Sequence, residues 1–353
     1  MFDATEFREI VSGRRHGISA TLIRKALHVP AAGYAAATYF RNKLFDWRIR
    51  RAHRVDVPVI SVGNLTVGGT GKSPFVLWLA QWLTQQGIRP AVLSRGYGAE
   101  QGHFNDEALE LRLRAPNLFH LQSADRVRSA QRVIAEFHAQ ALILDDGFQH
   151  RRLARDLDIV LIDATEPFGY GHLLPRGLLR EPILALRRAH AVVLTRANQV
   201  STERKQNIQK TIAAYTRGAV WAEAIFVPTD LLDDHGTSHP LSDLRASRVF
   251  GFAAIGQPDN FRCTLQSLSG QLVGFRSFPD HHRFSGDEFV QLLSAAESSK
   301  AELLICTCKD LVKIPPDSCD PIPLRAIRIN TQLTTGRDEL EQLVSSVIAP
   351  KSR

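Results

Sequence analysis

Short, continuous runs of apolar residues, separated by segments with helical periodicity, dominate the chain after residue 57. Runs that are rich in Val, Ile and Leu and do not alternate with polar residues are typical of strands buried on both faces of a parallel sheet. Helical patterns such as Phe75–Gln86 and Arg126–Phe137 lie between them. The pattern therefore predicts an α/β fold with right-handed crossover connections. The runs are Val57–Val62, Ala91–Ser94, Ala141–Leu144, Ile159–Ile162, Ala191–Thr195, Val249–Ala254 and Leu303–Thr307.

A more polar stretch, from about residue 199 to 245, interrupts this pattern and marks the predicted change of domain. The length of 353 residues agrees with two domains. We expect a first α/β domain over residues 56–220 and a smaller α/β domain over residues 221–333. The tail, residues 334–348, predicts a helix that can pack back onto the first domain.

Positive charge is concentrated in residues 1–55, ahead of both domains. Residues 1–54 hold eleven Lys and Arg against four acidic residues, so they carry nearly all of the net charge of +8. Between residues 15 and 50 these charges mix with aromatic and aliphatic side chains, which suits a helix lying in a membrane interface. The alternative is a helix packed on the domain with a solvated basic face. Within this N-terminal region the longest charge-free run, Ala26–Phe40, is short for a membrane span. No nucleic-acid-binding motif is present, so we expect no nucleic-acid partner.

Residues 59–73 combine a predicted strand, a glycine-rich loop and the start of a helix. Gly71, Lys72 and Ser73 match the end of a Walker A motif, whereas Thr66 stands where its first glycine belongs. In such a loop, backbone N–H groups hold phosphate oxygens, the lysine reaches the β- and γ-phosphates and the hydroxyl holds Mg²⁺. The alternative is a glycine turn without a ligand. The predicted ATP-binding residues are Thr66, Val67, Gly68, Gly69, Thr70, Gly71, Lys72 and Ser73.

A second acidic motif follows the apolar run Ala141–Leu144. Asp145 and Asp146 stand at the end of this predicted strand, where the Walker B carboxylate of a nucleotide-binding protein holds Mg²⁺. Taken alone, the motif is compatible with a turn cap. Together with the glycine loop, it predicts Asp145 as the first choice of metal ligand beside Ser73, and Asp146 as the second. The fold class expected from both motifs is a P-loop NTPase-like parallel sheet between helices, followed by the smaller α/β domain.

Several ordered segments resemble the tetraacyldisaccharide 4′-kinase family, the lipid A 4′-kinases. Two departures are visible: Ser73 replaces the usual Thr, and the family's Gly-Asp-Glu-Pro segment reads Asn105-Asp-Glu-Ala108. The resemblance covers roughly residues 57–313. The segments that carry it are Val62–Pro74, Leu93–Gly98, Leu144–Leu153, Asp156–Leu161, Leu173–Pro182, Phe278–His282 and Lys309–Lys313.

The resemblance implies a kinase that uses ATP and Mg²⁺. It would transfer the γ-phosphoryl group to the 4′-hydroxyl of tetraacyldisaccharide 1-phosphate and form lipid IVA, in lipid A biosynthesis. It further implies a peripheral position on the cytoplasmic face of the bacterial inner membrane, which strengthens the interfacial interpretation of the N-terminus. We expect a monomer. The alternative function is a membrane-associated P-loop ATPase switch that binds a protein partner.

The resemblance also implies roles for particular residues. Asp106 matches the carboxylate that accepts the proton of the acceptor hydroxyl, and Lys72 neutralises charge in the transferred group. His281 is the better match for the histidine that orients Asp106, with His282 as the alternative. Lys309 and Asp310 receive no role. Gln149 and His150 are assigned to the acceptor pocket. Arg176 and Arg180 are assigned either to the acceptor or to the γ-phosphate.

Overall fold

The computed structural model describes residues 4–96, 105–280, 282–314 and 322–349. The chain divides into two compact units. The first unit comprises residues 1–95, 123–225 and 332–353. The second unit comprises residues 96–122 and 226–331. The chain thus crosses between the units more than once, and each unit is built from segments that are distant in sequence.

In chain order, the helices are α1 (Ala4–Ser12), α2 (Ile18–Ala26), α3 (His28–Asp46), α4 (Lys72–Gln85), α5 (Asp106–Arg114), α6 (Arg126–Phe137), α7 (Thr202–Ala213), α8 (Ser242–Ala246), α9 (Pro258–Leu268), α10 (Gly286–Ser298), α11 (Cys308–Leu311) and α12 (Arg337–Ile348). The strands are β1 (Val59–Asn64), β2 (Pro90–Ser94), β3 (Phe119–Gln122), β4 (Ala141–Asp145), β5 (Leu157–Asp163), β6 (Ala191–Thr195), β7 (Val220–Leu232), β8 (Ser238–His239), β9 (Arg248–Ala253), β10 (Gln271–Ser277), β11 (Leu303–Thr307) and β12 (Leu324–Thr335). Every one of the seven apolar runs forms a strand.

A parallel sheet in the order β7–β6–β5–β1–β4–β2 forms the centre of the first unit. Strands β1, β4, β5 and β6 are buried along their whole length, as expected for strands covered on both faces. Helices α4 and α6 pack on the sheet through apolar residues such as Leu79 and Val133. The predicted fold class, a P-loop-like parallel α/β sheet, is confirmed.

The second unit has its own parallel strands, in the order β10–β9–β11–β12. Its core gathers apolar side chains from β9, β11 and α10, among them Phe252, Phe289 and Leu304. Strand β8 pairs antiparallel with the last residues of β7. This unit is therefore a second α/β assembly with a separate hydrophobic core.

The units divide at different residues from those expected. Residues 96–122, placed by sequence in the first domain, belong to the second unit. One reason is that the buried Arg114 of α5 binds Glu110 and donates to the Ile329 carbonyl of β12. The polar stretch 199–245 contains α7 and β7, and the units divide inside β7, between Ile225 and Phe226. Both β7 and β12 run from one unit into the other.

The last helix also differs from the expected one. Strand β12 continues to Thr335, and α12 begins at Arg337 rather than at residue 334. Between them Gly336 has φ of 69°, and a Cβ at this position would lie 2.1 Å from the Trp221 carbonyl oxygen. Only glycine accommodates both constraints, so it ends the strand and starts the helix. Residues 332–353 fall in the first unit.

Candidate phosphate and acceptor sites

The glycine-rich loop joins β1 to α4 at the carboxyl edge of the first unit's sheet. Gly68 and Gly71 have φ of 118° and 83°, backbone conformations that side chains rarely adopt. Asn64 Nδ2 donates to the Thr66 carbonyl at 2.7 Å and to Thr70 Oγ1 at 3.1 Å. Thr195 Oγ1 donates to the Thr70 carbonyl at 2.9 Å. The loop is therefore fixed at both ends and leads directly into a helix N-terminus, a geometry that suits a phosphate.

Asp145 and Asp146 follow β4, which pairs with β1 so that Asp145 lies opposite Val62. Lys72 Nζ lies 3.6 Å from Asp146 Oδ1, and Arg180 Nη1 donates to the same oxygen at 2.6 Å. Burial alone would raise the pKa of Asp146, but Lys72, Arg180 and Arg126 outweigh it and lower the pKa to about 2. Asp146 is thus ionised and binds the cations around the loop.

The oxygen donors near this loop fit a magnesium ion. Ser73, in the first turn of α4, supplies a hydroxyl, and Asp145 supplies a largely buried carboxylate at the end of the adjacent strand. Mg²⁺ is commonly held by one or two protein oxygens together with substrate phosphates and water. Among the described residues, no cluster of three His, Cys, Asp or Glu side chains forms a complete metal cage. The donor set therefore matches a nucleotide-dependent ion rather than a structural one.

The two predicted arginines lie in different surroundings. Arg180 contacts Asp146, whereas Arg176 donates to the Val11 carbonyl at 3.1 Å and to His28 Nε2 at 3.3 Å. Arg176 lines a cavity of about 510 Å³, and none of the described residues that line it is acidic. The two arginines therefore lie in different places: Arg180 contacts Asp146 near the glycine loop, and Arg176 lines the cavity. Other lining residues are His28, His172, Ile183, Leu184 and Tyr215.

Gln149 and His150 follow the two carboxylates. Gln149 Nε2 donates to the Asn64 carbonyl at 2.9 Å, which ties this turn to the end of β1. Burial, together with Arg126, Arg155 and Arg152, lowers the pKa of His150 to about 4. His150 is accordingly a neutral imidazole at physiological pH.

In the second unit, Asp106 is the first residue of α5, whose N-cap Asn105 accepts a hydrogen bond from the Ala108 N–H. Asp106 Oδ2 lies 3.8 Å from Lys313 Nζ, and the neighbouring Glu107 lies 3.9 Å from Lys309 Nζ. This cap satisfies one of the free N–H groups at the start of α5. Asp106 therefore lies in the unit that includes residues 226–331, and not with the glycine loop as the sequence suggested.

The predicted histidine partner, His281, lies outside the described residues. His282 is described: its Nε2 lies 3.2 Å from Glu288 Oε2, and its ring stacks on Phe278 at 5.2 Å. Glu288 also closes the capping box of α10 with Ser285. The described contacts of His282 therefore belong to the start of α10.

Three residues that contact these sites received no role from the sequence. Arg126 donates to the carbonyls of Asp145 and Asp146 at 2.9 and 3.1 Å, Asn64 anchors the loop, and Lys313 faces Asp106. A signal existed for Arg126, because it occupies an apolar-face position of the predicted helix Arg126–Phe137. For the other two, the local pattern carries no indication of these contacts.

The N-terminal region both contacts the rest of the first unit and exposes apolar side chains. Tyr34 Oη donates to the Arg180 carbonyl at 3.0 Å, and Arg41 binds the buried Glu181 at 2.8 Å. Seven large apolar side chains between residues 18 and 49 are more than half exposed. These are Ile18, Leu22, Val29, Tyr39, Phe40, Trp47 and Ile49. In the part of the chain that the structure describes, no helix is both long and apolar enough to cross a membrane.

A glycine loop between a buried strand and a helix, with a carboxylate at the end of the adjacent strand, defines a P-loop phosphotransferase-type protein. The family model described as tetraacyldisaccharide-1-P 4′-kinase, LpxK, matches residues 23–349. The chain therefore belongs to the tetraacyldisaccharide 4′-kinase family, whose members are kinases of lipid A biosynthesis. The family resemblance read from the sequence is confirmed.

Individual relatives agree with this assignment. A tetraacyldisaccharide 4′-kinase of Anaeromyxobacter sp. (strain Fw109-5) is 39% identical over 335 residues, covering 90% of this chain and 89% of the relative. One from Syntrophus aciditrophicus (strain SB) is 39% identical over 314 residues, covering 82% and 84%. The crystal structure of LpxK from Aquifex aeolicus in complex with ATP has a TM-score of 0.74 at 29% identity, covering 92% of this chain and 99% of that one.

Proposed function

We propose that the protein transfers the γ-phosphoryl group of ATP to the 4′-hydroxyl of tetraacyldisaccharide 1-phosphate and so forms lipid IVA. The observation that supports this most directly is the convergence of Lys72 and Arg180 on Asp146 beside the glycine loop, in a chain of the tetraacyldisaccharide 4′-kinase family. Phosphoryl transfer requires positioning and charge neutralisation more than covalent chemistry by the protein. This loop provides both.

The first unit would bind the nucleotide. The backbone of residues 66–73 holds the phosphates, and Lys72 turns from Asp146 towards the β- and γ-phosphates. Ser73 and Asp145 hold Mg²⁺, with Asp146 as the alternative carboxylate. The ion, when bound, supplies positive charge to the transferred group. Arg180, already directed at Asp146, is the second cation for that group.

The second unit would supply the base. Asp106 accepts the proton of the 4′-hydroxyl as the oxygen–phosphorus bond forms, and ADP leaves. His281 orients Asp106, with His282 as the alternative. An uncharged sugar hydroxyl is a weak nucleophile, so a carboxylate that removes its proton contributes directly to the rate.

The acceptor would contact Gln149 and His150, which follow the carboxylates, and Arg176, which lines the cavity. A cavity with a guanidinium, two imidazoles and an apolar rim suits a phosphate carried on a lipid. The lipid nature of the substrate follows from the family, whereas these contacts are part of the proposal.

The enzyme would work as a peripheral monomer on the cytoplasmic face of the inner membrane, without a nucleic-acid partner. The exposed apolar side chains between residues 18 and 49 alternate along the chain with Lys25, Lys43, Arg48 and Arg50, a composition that binds an anionic lipid surface. A lipid acceptor requires such contact, because its acyl chains do not leave the bilayer readily.

Mass spectrometry of a reaction with ATP, Mg²⁺ and the disaccharide 1-phosphate tests the function. We expect one added phosphate on the glycolipid and one ADP for each product molecule. Release of free phosphate with an unmodified glycolipid would contradict the proposal and favour an ATPase switch.

A further inference from the structure

Two buried charged residues of the second unit, Lys313 and Asp310, form an ion pair, and Lys313 also faces Asp106. The side chain of Lys313 is 4% exposed and that of Asp310 is completely buried. Both belong to α11 and the turn that follows it, in the motif Lys309–Lys313 to which the sequence assigned no role. A buried ion pair is costly to desolvate and is weak evidence for stability. Its presence beside the proposed base therefore needs an explanation.

Asp310 is immobilised by the ends of two strands. Its Oδ2 accepts hydrogen bonds from the Ala254 N–H, after β9, at 3.1 Å and from Thr307 Oγ1, at the end of β11, at 2.7 Å. Its other oxygen, Oδ1, lies 3.0 Å from Lys313 Nζ. The Asp310 carboxylate thus has one orientation, set by the backbone of the sheet.

Lys313 is in turn immobilised by Asp310. Its ammonium group donates to Asp310 Oδ1 and, at 3.4 Å, to the Ala254 carbonyl, and it faces Asp106 Oδ2 at 3.8 Å. A flexible lysine side chain ordinarily samples many rotamers. Here two acceptors direct its charge towards a carboxylate in another helix.

We propose that Lys313, held in place by Asp310, is a positioning residue for Asp106 and offsets the repulsion between that carboxylate and the phosphates of the substrates. The inference rests on the proposed function, because it acts through Asp106 as the base. A cation removed from solvent interacts more strongly with a nearby carboxylate than an exposed one does. The adjacent pair, Lys309 and Glu107, has side chains that are 34% and 43% exposed. It therefore serves as a solvent-exposed comparison for the pair of Lys313 and Asp106.

The test is a double-mutant cycle in the full-length enzyme. Lys313→Met removes the charge and keeps the chain length, and we expect kcat to fall about tenfold to a hundredfold with little change in KM for ATP. In an Asp106→Asn background, the same substitution should change kcat less than twofold. Lys313→Arg should recover part of the loss, and the control Lys309→Met should stay within twofold of the parent enzyme.

Lys313→Met leaves Asp310 buried without its cation, so a second variant separates folding from function. Lys313→Met combined with Asp310→Asn removes both charges and should recover the thermal midpoint but not kcat. Recovery of kcat with stability, or an equal effect of Lys313→Met in both Asp106 backgrounds, would overturn the inference. The proposed function fails separately, if the parent enzyme leaves the glycolipid unphosphorylated or if Asp106→Asn keeps full activity.

Discussion

The glycine loop of the first unit and the Asp106 cluster of the second unit both combine lysine with aspartate, but in opposite environments. Around the loop, Lys72, Arg180 and Asp146 have side chains between 19% and 33% exposed, and two cations share one carboxylate oxygen. In the second unit, Lys313 and Asp310 are almost completely buried, and one cation faces two carboxylates.

This difference indicates what each cluster can do. Partly exposed cations exchange one anion for another at little cost, so Lys72 and Arg180 are suited to leave Asp146 for phosphate oxygens. A buried pair cannot separate without a large desolvation penalty, so Lys313 and Asp310 are suited to hold a geometry. This contrast supports the proposed roles, in which the first cluster binds a charged substrate and the second positions a carboxylate.

The largest effect is expected from Asp106→Asn, which keeps the size of the side chain and removes the base. We expect kcat to fall about 10³-fold with unchanged ATP affinity, because the glycine loop belongs to the other unit. Glycolipid phosphorylation and calorimetric titration with ATP measure the two quantities. Glu107→Gln, a neighbouring first-turn carboxylate, is the matched control and should stay within tenfold. Equal losses of kcat in both variants would contradict the assignment of Asp106, and not Glu107, as the base.

Lys72→Gln should have the next largest effect, a loss of about 10²- to 10³-fold in kcat/KM for ATP, because it removes one charged contact to the transferred group. Steady-state kinetics with varied ATP measure it. Lys210→Gln changes an exposed lysine of the same unit and serves as the control. A loss below tenfold for Lys72→Gln would contradict the proposal that this partly exposed lysine binds the phosphates of ATP.

Replacing Phe40 and Trp47 with serine should weaken binding to vesicles of phosphatidylcholine and phosphatidylglycerol by about tenfold or more, since each exposed ring contributes apolar area to the interface. Co-sedimentation measures this. Val290→Ser alters an equally exposed apolar residue of the second unit and should leave partitioning unchanged. Comparable losses in both variants would contradict a membrane-binding face confined to the N-terminal helices.

The smallest effect concerns a half-buried histidine in each unit. Burial first, and then nearby arginines, lower the pKa of His150 in the first unit and of His120 in the second to about 4. Between pH 6.5 and 4 the unfolded chain binds these protons and the folded chain does not, so the free energy of unfolding falls as the pH falls. Each histidine contributes at most about 1.4 kcal/mol per pH unit.

Urea titrations across that pH range measure the slope. His150→Gln should make it shallower, whereas His16→Gln, at an exposed position, should leave it as in the parent protein. An unchanged slope in His150→Gln would mean that folding does not lower the pKa of this imidazole. The same comparison with His120→Gln shows whether the two units respond alike.

Much of the α/β pattern in both units followed from local sequence. Each of the seven apolar runs forms a strand, because a continuous apolar run is stabilised when both faces of the strand are covered. The order strand, glycine loop, helix is also local, so Lys72 and Ser73 took their expected places at the start of α4. Strands β7 and β12 were not predicted, since their half-buried residues lack a continuous apolar run.

The sequence by itself determined the family, the parallel α/β class and the glycine loop, because each depends on residues that are close neighbours along the chain. Only the tertiary structure decided that Asp106 shares a unit with Lys313, that Arg176 lines a cavity while Arg180 binds Asp146, and that residues 96–122 leave the first domain. Each of these features depends on residues that are far apart in sequence. Burial and the order of the strands decide which of them come together, and no local sequence pattern contains that information.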